Sequence, residues 1–148
     1  MELSRKAREQ FRQFGSEGGK ARAAKLTAIE RTAIARKAAI KRWIRERFGA
    51  DDFSSLGLPG GELVDAGLAA LTRNEATPES FAVSLAACRL QREGVPIRFP
   101  MPNPEQGLYD ALCKSSGELA HARYGAYLAQ VASFADALRS KRLHGHAS

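Results

Sequence analysis

The chain has 148 residues, of which 44% are hydrophobic and 26% charged, and these are the proportions of a globular protein rather than a disordered one. It has no run of about 18 apolar residues, which excludes a membrane-spanning helix, and no apolar stretch follows its basic N-terminus as in a secretory signal. Ala and Leu dominate the apolar residues, while β-branched and aromatic residues are sparse. The composition therefore predicts an all-α fold.

The charge of the chain is divided unevenly along its length. Residues 1–50 contain 14 Lys and Arg against 5 Asp and Glu, whereas residues 51–148 contain 9 against 11. The net charge of +7 therefore comes entirely from the first third of the chain. Such asymmetry predicts a polyanionic partner, with nucleic acid as the first candidate.

Two short helices are predicted before residue 27. The first spans about 3–14, with apolar residues at helical spacing and Arg5, Arg8 and Arg12 on its other side, and Gly15 is expected to end it. Ser16 can then cap a second helix that carries Gly18-Gly19-Lys20. We interpret this glycine pair either as a tight turn or as a place where backbone amides approach a phosphate closely.

Thr27 and Glu30 have the spacing of a capping box, which predicts that a long helix begins here and ends near Phe48-Gly49. At about 100° per residue this helix has two different faces. Its apolar face is predicted to consist of Ile29, Ala33, Ile40 and Ile44, flanked by Trp43 and Phe48. Its opposite face is predicted to consist of Arg31, Ala35, Ala38, Lys41, Arg42 and Arg45.

This combination of long cations and small alanines is typical of helices that contact phosphates, because the helix backbone can come close to the nucleic acid. Only Glu30 and Glu46 interrupt the cations of the long helix, whereas a helix that is merely solvated tends to pair its charges. RNA, an acidic protein and a membrane surface remain alternatives to DNA as the partner of this protein. The candidate nucleic-acid-binding residues are Lys20, Arg22, Lys25, Arg31, Lys41, Arg42 and Arg45.

Residues 18–43 resemble a segment of small, largely uncharacterised bacterial and phage-borne proteins that reads GGKARA-KLT-ER-IARKAA-RW. The resemblance implies a basic helical module that binds DNA, as in transcriptional regulators or antitoxin-like proteins, and it implies no catalytic role. The chain departs from the pattern at Ala28, where proline is frequent. Because the capping box is retained, we expect the helix to begin at the same place without this proline.

The second half is predicted to be a helical domain for self-association or partner binding. We expect an arm at 1–49, a linker at 50–61, this domain at 62–142 and a disordered tail at 143–148. Its four helices are predicted at about 62–74, at 77–94 with Thr77 as N-cap, from Pro104 onward, and at 118–142. Leu58-Pro59-Gly60 and His121-Ala122-Arg123-Tyr124 resemble pieces of hypothetical bacterial proteins, a likeness that implies no activity.

No pattern predicts an enzyme, and no catalytic residue, cofactor or metal site is expected. His121 and Tyr124 are interpreted as a packing pair, and His144 with His146 would make an incomplete zinc site. Cys88 and Cys113 lie in apolar patterns and are expected to be buried thiols in a reducing cytoplasm, where we place the protein. Whether the two cysteines lie near each other cannot be decided from their spacing.

Overall fold

A computed structural model describes residues 5–144, except for the side chains of residues 15, 17–19 and 21–25, and within this range it is all-α, as predicted. Its helices are α1 Arg5–Lys25, α2 Ala28–Phe48, α3 Gly61–Thr72, α4 Pro78–Leu85, α5 Ala87–Arg92, α6 Pro104–Ser116 and α7 Ala120–His144. Short 3₁₀ turns occupy Ser54–Leu56 and Gly117–Leu119.

The N-terminal region forms one helix where two were predicted. α1 continues through Gly15 and through Gly18-Gly19, so neither position is a stop or a turn. The amides of the glycine pair also lie inside a helix and not at its N-terminus, which contradicts their interpretation as amides that approach a phosphate closely. Glycine lowers helix stability by about 1 kcal/mol relative to alanine but does not forbid a helix, and the flanking Ala, Arg and Lys are strong helix formers. Residues 1–4, where this helix was predicted to begin, lie outside the described residues.

The boundaries of α2 are those predicted. Thr27 Oγ1 accepts a hydrogen bond from the Glu30 amide at 3.2 Å, and Glu30 Oε2 accepts one from the Thr27 amide at 2.8 Å. At the other end, Gly49 adopts a φ of 71° and donates its amide to the Arg45 carbonyl at 2.9 Å. This left-handed conformation favours glycine, and it ends the helix.

The segment between α2 and α3 contributes to the core as well as connecting the helices. Phe53 is fully buried, with its ring 4.9 Å from the Phe134 ring and 6.1 Å from the Trp43 ring. The carboxylate of Asp65 on α3 accepts hydrogen bonds from the amides of Phe53 and Ser54 at 3.0 and 2.9 Å. Phe53 and Ser54 therefore hold the middle of this connecting segment against α3 and α7.

From Ile40 onward the inward side of α2 belongs to the same hydrophobic core as the later helices, but the prediction that Ile29 lies on this apolar face is wrong, because Ile29 is 74% exposed. Ile44 is buried, and Ile40, Trp43 and Phe48 pack against the core. This core also includes residues of α3, α4, α6 and α7, among them Val64, Leu68, Val83, Leu108, Leu112, Val131, Phe134 and Leu138. The division into an arm at 1–49 and a domain at 62–142 stays a prediction, but these contacts argue against a domain boundary at residue 49.

In the second half, the predicted helix over 77–94 is two helices. Thr77 is its N-cap, as expected, but the helix breaks at Ala86, between α4 and α5. Beyond the break Ala87 and Leu90 turn inward, so Cys88 is exposed. Cys113 is exposed as well, because it follows the inward-facing Leu112 by about 100° around α6. The predicted burial of both cysteines is therefore wrong, and both are free thiols.

The final helix, α7, begins two residues later than predicted and ends two residues later. A 3₁₀ turn at Gly117–Leu119 precedes it, and its last turn reaches His144. Residues 143 and 144 of the predicted tail are therefore helical, whereas 145–148, including His146, lie outside the described residues.

Candidate nucleic-acid interface

The cationic side of α2 faces solvent. Ile40 and Ile44 turn toward the core, and the residues on the other side of the helix are all exposed. We call this set the basic face; it consists of Arg31, Ala35, Ala38, Lys41, Arg42 and Arg45. The alanine side chains between the cations are small, so the helix backbone could approach a polyanion closely.

One cation of the basic face already has a carboxylate partner. Arg45 Nη2 lies 2.5 Å from Asp51 Oδ1, and the Arg45 Nε atom also donates to this oxygen at 3.1 Å. The hydrogen bonds and the charge of Asp51 raise the pKa of the Arg45 guanidinium. Glu30 and Glu46 are the acids within α2 itself, whereas this partner lies six residues after Arg45, beyond the end of the helix, where the helical pattern does not reach.

The other three cations of the basic face are exposed, and one of them lies near a carboxylate: the pKa of Asp52 is lowered mainly by hydrogen bonds from Ser55 and Ser54 and in smaller part by the charge of Lys41. None of Arg31, Lys41 and Arg42 takes part in an ion pair among the described residues. Glu30 forms no ion pair with them among the described residues; its carboxylate accepts the hydrogen bond of the capping box at the start of α2. Arg31, Lys41 and Arg42 are therefore the cations of the basic face that are exposed and outside the ion pairs of the described residues.

α1 carries a second set of exposed cations. Arg5, Lys6, Arg8, Arg12 and Lys20 are all exposed, and no other described helix packs extensively against α1. Of these, only Lys20 was among the candidate residues, although the sequence also shows the other four cations at helical spacing. The side chains of Arg22 and Lys25, which were candidates, lie outside the described residues.

The two basic helices are consecutive, with only Leu26 and Thr27 between them. α1 also exposes two large aromatic side chains, Phe11 at 68% and Phe14 at 69% of their accessible surface. On α2 the guanidinium of Arg47 lies 5.8 Å from the Trp43 ring centroid, so this cation partly covers the edge of the core.

Other chemistries find little support in the described part of the chain. Residues 5–144 hold no group of three or more His, Cys, Asp and Glu side chains that could bind a metal ion. His121 is exposed and does not form the expected pair with Tyr124, whose ring instead lies 6.2 Å from the Tyr109 ring. Within the same residues, no helix is both long and apolar enough to span a bilayer.

Comparison with known proteins gives no further guide, since no family model, curated protein or solved structure matches the chain. The resemblance of residues 18–43 to small bacterial and phage-borne proteins therefore stays a prediction.

Proposed function

We propose that the protein binds DNA through the basic face of α2, with additional cations supplied by α1, and that it acts as a DNA-binding regulator. The observation that carries this proposal is the exposure of Arg31, Lys41 and Arg42 on one side of a helix whose other side is anchored in the core from Ile40 onward. An anchored helix holds its cations in a fixed arrangement, which lowers the entropic cost of meeting a row of phosphates.

The dimensions of the basic face suit a nucleic-acid backbone. Arg31 and Arg42 are eleven residues apart, which corresponds to about 16 Å along a helix axis. This length matches about five nucleotide steps of one DNA strand at 3.4 Å each. Ala35 and Ala38 add little bulk between the cations, and Ile34, which is 56% exposed on the same side of the helix, is the one large apolar side chain of α2 among them.

The remainder of the chain does not share this character. Residues 51–148 have two more acidic than basic residues, so a polyanion would be directed toward α1 and α2. The regulatory, antitoxin-like role rests only on the resemblance of residues 18–43, whereas the binding of phosphates rests on the geometry of the exposed cations.

The test is a fluorescence-anisotropy titration of a labelled DNA duplex with the full chain and with the triple variant Arg31→Glu, Lys41→Glu and Arg42→Glu. We expect the variant to bind at least about a hundredfold more weakly, because three attractive contacts become repulsive. The matched control reverses Lys114, Arg139 and Lys141, which are exposed, lie outside the ion pairs of the described residues and change the net charge equally.

Equal loss of affinity in the two triple variants would mean that net charge alone attracts DNA, and the basic face would then have no specific role. Circular dichroism of each variant checks that α2 is retained.

The same titration in competition with single-stranded and double-stranded RNA distinguishes a DNA-binding protein from an RNA-binding one. Displacement of duplex DNA by an equal concentration of RNA would contradict the preference for DNA.

A further inference from the structure

An open groove runs along the flank of α2, next to the basic face. It is formed by two adjoining cavities of about 470 and 430 Å³ that share Thr32, Arg36, Thr72 and Phe99. α2 supplies one wall from Ala28 to Ile40, a length of about 18 Å. The end of α3 and the segment 96–99 supply the other wall.

The floor and one edge of the groove are apolar. Leu68, Leu71 and Ile97 lie at its base and are buried in the core. Phe99 and Ile29 stand at its edge with 59% and 74% of their surfaces exposed. Large exposed apolar side chains beside a groove are typical of a surface that a partner covers.

The wall formed by residues 96–99 is held in place by side-chain hydrogen bonds. Gln91 Nε2 donates to the Ile97 carbonyl at 2.5 Å, and Ser84 Oγ accepts from the Met101 amide at 2.9 Å. The groove is therefore largely preformed, and a ligand would not have to organise this wall on binding.

The charges around the groove are of one sign. Arg36, Arg98 and Arg73 line it, and no Asp or Glu among the described residues does so. Arg73 pairs with Glu75 at 3.3 Å, but neither Arg36 nor Arg98 takes part in an ion pair of the described residues. The groove is thus complementary to a ligand that is apolar on one side and negatively charged beside it.

The position of Arg36 makes this complementarity specific. Its guanidinium carbon lies over the Phe99 ring, 4.3 Å from the ring centroid, so a cation–π contact links the α2 wall to the wall formed by residues 96–99. A guanidinium in such a contact still has N–H groups that can donate to a carboxylate. The same contact orients Arg36 beside the apolar floor.

We propose that this groove binds an acidic amphipathic helix of another protein. The length of about 18 Å from Ala28 to Ile40 matches three turns of a helix lying over the Arg36–Phe99 contact, with apolar side chains over Leu68, Leu71 and Ile97. Its Glu or Asp residues would meet Arg36 and Arg98. This site adjoins the basic face, with which it shares Ala35, but its own cations, Arg36 and Arg98, are not part of that face, so the two proposals can be tested separately.

The experiment uses a fluorescein-labelled peptide of roughly 16 residues, with Leu and Phe at i, i+4 and i+7 and Glu on its flanks, added to the full chain. We expect saturable binding. The double variant Arg36→Glu with Arg98→Glu should weaken it by about tenfold or more, and Phe99→Ala should weaken it several-fold. Phe99 is largely exposed, so the latter variant should keep its fold.

The matched control is Lys37→Glu with Arg139→Glu, which changes the net charge equally and places one reversal next to Arg36 on α2 but outside the groove. An equal loss in this control, absence of saturable binding, or undiminished binding of a peptide with Gln in place of Glu would each overturn the proposal. So would chemical-shift changes of the groove residues on raising the protein concentration alone, because a second copy would then be the occupant.

Discussion

The described part of the chain contains two regions that use the same kind of residue in opposite ways. In α1, Phe11 and Phe14 are about two-thirds exposed, and no other described helix packs extensively on them. In the region from Ile40 to α7, Phe53 and Phe134 are fully buried and pack against each other. Both regions are helical, but only the second gains substantial stability from burial, since isolated helices are marginal in water.

α2 belongs to both regions, and this explains how a charged surface can be part of a packed fold. Its inward residues join the core through Ile44, while its outward residues form the basic face. The contrast predicts that changes in α1, before residue 26, will affect the stability of the protein much less than changes in the core.

The largest effect on stability is expected from truncating the chain. The two fragments begin at residue 62, where the helical domain was predicted to begin, and at residue 26, directly after α1. A fragment of residues 62–148 lacks Ile44 and Phe53, so we expect it to lose the cooperative thermal transition of the full chain. A fragment of residues 26–148 removes only α1 and should melt within a few degrees of the full chain. Circular dichroism melts decide the matter, and cooperative folding of 62–148 at the full-chain temperature would show that the core does not depend on α2.

A single phenylalanine in each region sharpens the comparison. Phe53→Ala should lower the free energy of unfolding by about 3–5 kcal/mol, because it empties a fully buried site beside Phe134. Phe14→Ala should change it by no more than about 0.5 kcal/mol, because that ring is exposed. Denaturant titrations of the two variants provide the measurement, and similar losses in both would contradict the contrast.

Replacement of a glycine by alanine is expected to change stability by a smaller amount, and with opposite signs in the two regions. A Cβ at residue 67 would lie 2.4 Å from Val83 Cγ2 and 2.6 Å from the Glu79 carbonyl oxygen. Gly67→Ala should therefore destabilise the packing of α3 on α4 by about 1–3 kcal/mol. Gly18→Ala should instead stabilise α1 by up to about 1 kcal/mol and increase the helical signal. A decrease of helicity in the latter variant would indicate that residue 18 is not in a helix.

The elements that could be predicted from the sequence are those with local signals. Thr27 with Glu30, Gly49, Thr77 and Pro104 each mark a helix end through hydrogen bonds or backbone angles that involve only near neighbours. The exposure of the basic face also followed from the helical period alone. These features depend on little beyond the chain within one or two turns.

The features that were missed depend on distant residues or on small energy differences. Nothing near Phe53 indicates that a Gly, Pro and Ser-rich segment places a ring against Phe134, 81 residues later in the sequence. The break at Ala86 involves neither Gly nor Pro, so Cys88 was assigned to the wrong side. The groove beside α2 needs residues 96–99 to lie across α3, and no local pattern predicts this.

The salt dependence of DNA binding tests the central claim most directly. For the full chain we expect log K to fall with log[salt] with a slope of about −5 to −7, since five to eight cations would release counterions. The neutral variant Arg31→Gln, Lys41→Gln and Arg42→Gln should reduce this slope by about 3, because three phosphate contacts are removed. An unchanged slope in the variant would contradict the assignment of the basic face as the surface that contacts phosphates.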